Sequence, residues 1–212
     1  MAKVVPVTRG RKFTQVLEGA RTVFLRDGFE GASVDDIARE AAVSKATLYS
    51  YFSDKRLMFI EVFRAELQRD VADARALLEV DLPVAQVLPF IVQMISSYVV
   101  SEVGLRVYRV SIGEAERFPM LAREYYEAGQ AQLRRQLVQY FERCVARGEL
   151  KISDFELAAD QLVDLSSASI RDCATLLGRD SVTPERMRRV NRGAVEMFLS
   201  HYGVADLART PA

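Results

Sequence analysis

The sequence predicts an all-α fold of about nine helices. Apolar residues recur at every third or fourth position along most of the chain, and no alternating pattern long enough for a strand accompanies them. Capping residues or glycine stand where most of these periodic segments begin or end. The 212 residues carry 29 basic and 29 acidic side chains, so the net charge is zero. Binding to a polyanion would therefore require a local basic surface.

Four helices are predicted in the first 80 residues, after a flexible basic tail over residues 1–9. The first ends at Gly28, because glycine tolerates the left-handed conformation that closes a helix. Ser33 and Ser44 are placed to cap the next two, and Ser53-Asp54 precedes the fourth. The predicted segments are residues 13–27, 34–41, a short helix from residue 44, and 55–80.

The stretch from Leu82 to Ser101 contains no charged residue and is long enough for a membrane span. It holds Pro83, Pro89 and several polar residues and lacks basic flanks, which favours a buried helix. We expect Pro89 to kink or break this helix, because proline cannot donate the helical hydrogen bond. The remaining predicted helices span residues 104–118, 119–147, 154–178 and 184–202.

Residues 33–52 have the pattern of two short helices joined by a tight turn. Ala38 is a small residue where the helices would cross, and Leu48 would point back from the second helix. Ala42 stands in the turn where glycine is often preferred, and alanine in a left-handed conformation costs about 1 kcal/mol. Two helices held this way can insert the second into a major groove about 12 Å wide.

The stretch DGFEGASVDDIAREAAVSKATLYSYFSDKRLMF, residues 27–59, resembles the DNA-binding domain of the TetR/AcrR family of transcriptional regulators. The positions that carry the resemblance are Gly28-Phe29, Ser33, Ile37-Ala38, Val43-Ser44, Leu48-Tyr49, Tyr51-Phe52 and Lys55. The resemblance implies a helix-turn-helix domain over residues 10–70, with the motif itself at 33–52. A regulatory and dimerisation domain is expected over residues 71–205.

The resemblance also implies roles in DNA binding, which suit the chemistry of hydroxyls, lysines and helix N-termini. Lys45 and Thr47 are the candidates for contacting bases. The candidates for contacting phosphates are Ser33, Ser44, Tyr49, Tyr51 and Lys55. Alternative roles are a half-buried aromatic for Tyr49 and Tyr51, a solvated lysine for Lys55, and a simple cap for Ser44. The predicted DNA-binding residues are Ser33, Ser44, Lys45, Thr47, Tyr49, Tyr51 and Lys55.

The segment around EAERFP, residues 114–119, resembles an AefR-like C-terminal regulatory domain of the same family. That resemblance implies a ligand pocket and a dimer interface formed by the last two helices. Plain core packing is the alternative for each pocket residue, and packing within one subunit is the alternative for the interface. The candidate pocket residues are Phe90, Met94, Tyr98, Tyr108, Phe118 and Tyr125. The candidate interface residues are Ser166, Ser169, Met187, Val190, Ala194 and Phe198.

These expectations together describe a homodimeric, cytoplasmic regulator that binds a double-stranded palindromic operator and is released by a small apolar or amphipathic ligand. The alternative is a constitutive or protein-controlled DNA-binding regulator without such a ligand. An enzyme is not expected, since a single histidine, His201, and no phosphate-binding glycine loop offer little for catalysis. Cys144 and Cys173 are expected to be buried free thiols, and neither a cofactor nor a metal site is expected.

Overall fold

The computed structural model describes residues 10–62, 64–65, 78–113, 115–117 and 119–204. In these ranges the chain is helical, and its extended contacts are limited to one isolated bridge between Leu150 and Gly203. The predicted all-α fold is confirmed.

The helices follow one another with short connections. Their bounds are α1 Arg11–Gly31, α2 Val34–Glu40, α3 Lys45–Tyr51, α4 over residues 55–62, α5 Val84–Val99, α6 Glu102–Gly113, α7 Pro119–Ala128, α8 Gln130–Ala146, α9 Phe155–Ser167, α10 Ile170–Leu177 and α11 Pro184–Tyr202. A short 3-10 turn, Arg179–Ser181, joins α10 to α11. The predicted continuation of α4 to residue 80, with Phe63, Leu67 and Val71, lies largely outside the described residues.

The chain divides into two compact units. The first comprises Met1–Gln68 and Val110–Tyr125, and the second comprises Arg69–Arg109 and Tyr126–Ala212. The sequence predicted a contiguous division near residue 70. In the structure, the segment Val110–Tyr125 groups with the N-terminal helices instead of the C-terminal ones.

The N-terminal unit is built around the apolar face of α1. Gly28 has a φ of 73°, which interrupts the helical path three residues before its end. A positive φ was expected for this glycine, but its ψ of −178° is extended and is not that of a left-handed helical cap. Beyond the kink, the ring of Phe29 packs on Phe24 and Phe59, with centroid distances of 6.2 and 5.2 Å. These three rings bring the end of α1 against α4.

Two helices that were predicted as continuous are each divided in two. The predicted helix 119–147 is broken at Gly129, whose φ and ψ of −101° and −89° are not helical. The predicted helix 154–178 is broken at Ala168 and at Ser169, which has a φ of 59°. Pro89 produces no break, since α5 continues through it. Leu57 and Leu157, which lie in predicted amphipathic helices, are 46% and 50% exposed.

The C-terminal unit packs α5 against α9 and α11, and α8 against α9. Phe198 on α11 is buried against Phe141 on α8, with ring centroids 5.1 Å apart. The buried residues of α5 are Val84, Val87, Leu88, Ile91, Val92, Ile95, Ser96 and Val99. Within the described ranges no single helix is long and apolar enough to span a membrane, although α5 and α6, bent by 62°, meet that criterion together.

Candidate nucleic-acid interface

The first helix of the predicted motif, α2, begins at a capped serine. Ser33 Oγ accepts a hydrogen bond from the backbone N–H of Asp36 at 3.0 Å and donates one to Asp36 Oδ2 at 2.6 Å. The bond from Ser33, followed by the charge of Arg39, holds the pKa of Asp36 below its ordinary value. The cap satisfies one of the unpaired N–H groups at the start of a helix.

The turn between α2 and α3 has the strained conformation that the sequence predicted. Ala42 has a φ of 51°, and Val43 donates its backbone N–H to the carbonyl of Ala38 at 3.0 Å. Ala41, just before the turn, lies against Gly19 of α1. A β-carbon on Gly19 would stand 2.6 Å from the backbone nitrogen of Ala41. Ala38 was predicted where α2 and α3 cross, whereas this close approach of α1 at Gly19 was not predicted.

The second helix, α3, is fixed on one side and exposed on the other. Ser44 Oγ accepts the backbone N–H of Thr47 at 3.1 Å and lies 2.8 Å from its hydroxyl oxygen. Leu48 is fully buried. Tyr49 is 51% exposed, and Lys45 and Ser44 are also exposed. Of the residues predicted to contact DNA, Ser44, Lys45 and Tyr49 are therefore exposed, whereas Thr47 is half-buried.

Two of the predicted DNA-binding side chains already have partners in the chain. Lys45 Nζ forms an ion pair with Asp35, and both side chains are largely exposed. Tyr51 is half-buried and meets Phe13 edge to face, with centroids 5.7 Å apart. An exposed ion pair is worth about 0–1 kcal/mol, so it can exchange readily for another anion. The ring of Tyr51 is held in place by its contact with the ring of Phe13.

Lys55, the first residue of α4, is not a solvated surface lysine. Its Nζ donates to the carbonyl oxygens of Phe29 at 2.7 Å and Ala32 at 3.0 Å, and the carbonyl of Glu30 lies at 3.5 Å. The same nitrogen is 4.6 Å from the centroid of the Phe29 ring. Its phosphate contact therefore stays a prediction, and the bonds shown here join α4 to the end of α1.

Asp54 caps α4 and pairs with Arg56. Its Oδ1 accepts the backbone N–H groups of Arg56 and Leu57 at 2.8 and 3.1 Å. Partial burial by itself would raise the pKa of Asp54. The hydrogen bonds from the Arg56 side chain and the two backbone N–H groups outweigh it and lower the pKa. The start predicted at Ser53-Asp54 is thus made by the aspartate.

The candidate pocket residues lie in different surroundings. Met94 is half-buried against the core of the C-terminal unit, and the guanidinium of Arg171 lies over the ring of Tyr108 at 5.4 Å. Tyr98 and Tyr125 are half-buried. Phe90 is 63% exposed, because it lies on the side of α5 away from its buried residues, and this contradicts its expected place in a cavity wall. Phe118 lies outside the described residues.

The candidate interface residues need a larger correction. Ser166, Ala194 and Phe198 are 0, 2 and 1% exposed in the single chain. They are part of this subunit's own core and present no surface to a second copy. Met187 and Val190 are half-buried against the same core, and Ser169 is exposed. These apolar residues of α11 thus pack within one subunit, which is the alternative stated above for the interface.

The two cysteines differ in burial. Cys144 is fully buried, and its burial raises the pKa of the thiol. Cys173 is only half-buried, contrary to expectation. The residues with a described placement contain no group of three histidine, cysteine, aspartate or glutamate side chains suited to a metal ion.

A short exposed helix braced by a second helix, with hydroxyls and a lysine at its start, is the architecture of helix-turn-helix DNA-binding proteins. Residues 16–62 match the family of bacterial regulatory proteins of the TetR type. Residues 86–204 match the C-terminal domain of AefR-like transcriptional repressors. The chain belongs to the TetR family of transcriptional regulators, whose members bind DNA.

Solved structures extend the similarity over nearly the whole chain. A TetR-family regulator from Mesorhizobium loti MAFF303099 is 27% identical, with a TM-score of 0.85 over 93% of this chain and 100% of that one. The flavonoid-responsive regulator FrrA is 30% identical, with a TM-score of 0.70 over 92% of this chain and 99% of its own.

Curated relatives match over about a third of this chain. The transcriptional activator FasR of Mycolicibacterium smegmatis is 41% identical over 63 residues, which are 30% of this chain and 27% of that protein. The chain spans about a third of the length of the curated relatives it matches.

Proposed function

We propose that this protein is a ligand-responsive repressor that binds a palindromic operator as a homodimer. The observation that carries the DNA-binding part is the geometry of α3. Its start is capped by Ser44, its inner side is anchored by fully buried Leu48, and its outer side presents Lys45 and Tyr49 to solvent. Exposed lysine and hydroxyl groups at a helix N-terminus are suited to phosphate oxygens and base edges.

Within that surface we assign different tasks to the side chains. Lys45 and Thr47 contact bases, and Lys45 exchanges its ion pair with Asp35 for a contact with DNA. Ser33, Ser44, Tyr49 and Tyr51 contact phosphate oxygens, and the edge contact with Phe13 supports Tyr51. Since only two side chains are assigned to bases, part of the specificity comes from the shape of the DNA.

The homodimer is proposed from the surface that remains exposed in the C-terminal unit. Leu176 and Leu177 on α10 are 80% and 75% exposed, and Met197 on α11 is 62% exposed. Gly193, one turn before Met197, lies mid-helix with no described heavy atom within 4 Å of its would-be β-carbon. Glycine in the middle of a helix is about 1 kcal/mol less favourable than alanine. A close approach by a second copy would explain why glycine occupies this position. A twofold contact would present the same surface on both subunits.

Repression and release by a ligand form the remaining part of the proposal. Repression is supported by the AefR-like repressor domain at residues 86–204. Similarity to a flavonoid-responsive regulator at 30% identity suggests aromatic, polyhydroxylated ligands as the first class to test. The half-buried residues Met94, Tyr98, Tyr108 and Tyr125, with Phe118, are the candidates to contact such a ligand. Aromatic and thioether side chains suit flat ring systems, and tyrosine hydroxyls can pair with phenols.

The test is a selection of genomic DNA fragments with the purified full chain at near-physiological salt. Recovery of a short palindrome with half-sites about 34 Å apart supports a dimeric operator-binding protein. Binding that is equally strong to all sequences and sensitive to salt contradicts it. The recovered operator then serves to measure release by a panel of flavonoid aglycones. Unchanged operator affinity in the presence of a tightly bound aglycone contradicts ligand control.

A further inference from the structure

The helix-turn-helix motif carries little positive charge for a surface that binds DNA. Residues 33–52 contain three acidic side chains and two basic ones, so their net charge is −1. The acids are Asp35, Asp36 and Glu40, and the bases are Arg39 and Lys45. Attraction to phosphates supplies nearly all of the affinity of a protein for arbitrary DNA sequences. A motif with this charge therefore contributes little to such general attraction.

Both basic side chains of the motif are paired with an acid of α2. Arg39 forms an ion pair with Asp36, three residues before it, and the same carboxylate accepts the hydroxyl of Ser33 at 2.6 Å. Lys45, the first residue of α3, forms an ion pair with Asp35 in the first turn of α2. Asp36 thus serves its own helix, whereas Asp35 reaches across the turn to the helix that is proposed to contact bases.

The ion pair between Asp35 and Lys45 is open to water, since the two side chains are 62% and 59% exposed. An exposed ion pair changes an equilibrium constant by at most about fivefold, so this one can open when a better partner approaches. A phosphate would bring a second negative charge beside the carboxylate, and their repulsion would offset the gain. The edge of a guanine offers the ammonium group two neutral acceptors, O6 and N7, without that repulsion.

We infer that Asp35 is a specificity-determining residue: it neutralises Lys45 against the phosphate backbone, and so lowers affinity for arbitrary DNA more than affinity for the operator. A protein discriminates by the difference between two binding free energies, so weakening the unwanted complex improves discrimination. The inference rests on the proposed DNA-binding function. It gives Asp35 a task beyond that of a first-turn acid, which stabilises a helix through the helix dipole alone.

The test compares wild type, Asp35→Asn and Glu40→Gln by fluorescence anisotropy at several salt concentrations, on the operator and on an arbitrary duplex of equal length. For Asp35→Asn we expect about two- to fivefold tighter binding to the arbitrary duplex, the effect of freeing one exposed lysine. The slope of log K against log salt should be steeper by about one. Operator affinity should rise less, so the ratio of the two affinities falls. Glu40→Gln removes the same charge at the other end of α2 and should keep the wild-type ratio.

A double substitution shows whether Asp35 acts through Lys45. In Lys45→Met the partner of the carboxylate is gone, so the further change Asp35→Asn should alter binding to the arbitrary duplex much less than it does in wild type. An equally large gain in both backgrounds would mean that the carboxylate repels phosphates by itself, and the role assigned to the ion pair would be wrong.

Two other results would overturn the inference. Weaker operator binding by Asp35→Asn would show that the carboxylate itself contacts a base, since it can accept from the amino group of cytosine. Unchanged binding to both duplexes would leave Asp35 as a helix-start acid only. Circular dichroism at the assay temperature establishes that each variant is folded, and Asp35→Gln replaces Asp35→Asn if the latter is not. An absence of sequence preference in wild type would contradict the proposed function, whereas the salt slope on the arbitrary duplex would still test Asp35.

Discussion

Gly19 of α1 lies so close to Ala41 at the end of α2 that a β-carbon on Gly19 would stand 2.6 Å from the backbone nitrogen of Ala41 and 2.7 Å from its β-carbon. Atoms at these distances overlap. The nearest of them is the backbone nitrogen of Ala41, which cannot move aside as a flexible side chain could. The two helices therefore meet at a separation that only glycine permits at position 19.

We expect Gly19→Ala to destabilise the protein by about 1–3 kcal/mol, the usual cost of overpacking, although alanine normally favours a helix. Urea denaturation followed by circular dichroism measures the free energy of unfolding. Gly31→Ala is the control on the same helix, because its β-carbon would lie 3.5 Å from the nearest atom, Cβ of Asp27. Equal effects of the two substitutions would contradict the close approach.

Ala42→Gly should stabilise the protein, in contrast to Gly19→Ala. The φ of 51° at Ala42 is unfavourable for alanine and free of strain for glycine, so we expect a gain of about 0.5–1 kcal/mol in the free energy of unfolding. Ala46→Gly, on the exposed surface of α3, should instead lose about 1 kcal/mol. Thermal unfolding of the two variants beside wild type checks both signs. A loss in both variants would show that the turn prefers alanine.

The carboxylate of Glu149 should control part of the stability at acidic pH. It accepts hydrogen bonds from Arg147 at 3.0 Å and from the backbone N–H of Val84, the first residue of α5, at 3.0 Å. The bonds from Arg147 come first among the causes that lower its pKa below the ordinary 4.5, and they outweigh the opposing effect of burial. A lowered folded-state pKa means that the stabilisation is complete above pH 4.5 and is lost as the pH falls through the lowered value.

Glu149→Gln should therefore be less stable than wild type at pH 7, by about 1–3 kcal/mol for a lost charged partner. The difference should shrink as the pH falls below 4.5. Melting temperatures measured between pH 7 and pH 3 give this comparison. Glu156→Gln, an exposed acid in the first turn of α9, is the control. A constant difference across the pH range would mean that the charge of Glu149 is not what stabilises α5.

Gly193→Leu tests the proposed homodimer. In an isolated chain the leucine would enter open space and favour the helix by about 1 kcal/mol. In a dimer formed across Gly193 and Met197 the same side chain would collide with the partner and raise the dissociation constant by at least tenfold, the effect of about 1.4 kcal/mol. Sedimentation equilibrium measures it, with Arg192→Leu on another side of α11 as the control. An unchanged dimer would place the interface elsewhere.

The sequence predicted those parts of the fold that depend on local chemistry. Caps at Ser33 and Ser44 lie where they were expected, because a side-chain oxygen three residues before an N–H acts within one turn. The burial of Leu48 on α3 was also predicted. These features depend on neighbours in sequence.

Features that depend on distant partners were not predictable. The break at Ser169 occurs in a segment whose helical periodicity continues on both sides, so no local signal marks it. Ala194 and Phe198 form an apolar stripe that looks the same whether a neighbouring helix of the same chain or a second copy covers it. Likewise, nothing near Lys55 in sequence indicates the carbonyls of Phe29 and Ala32 that it binds.

The grouping of Val110–Tyr125 with the N-terminal helices limits how this protein can be divided. Arg64 of the N-terminal unit forms ion pairs with both Glu61 and Glu124. Glu124 lies 60 residues away along the chain. A fragment cut after residue 68 would retain all of α3 but would lose the ion pair between Arg64 and Glu124. Transfer of the N-terminal unit to another protein would therefore have to include residues 110–125, so a fragment from the N-terminus alone would not be sufficient.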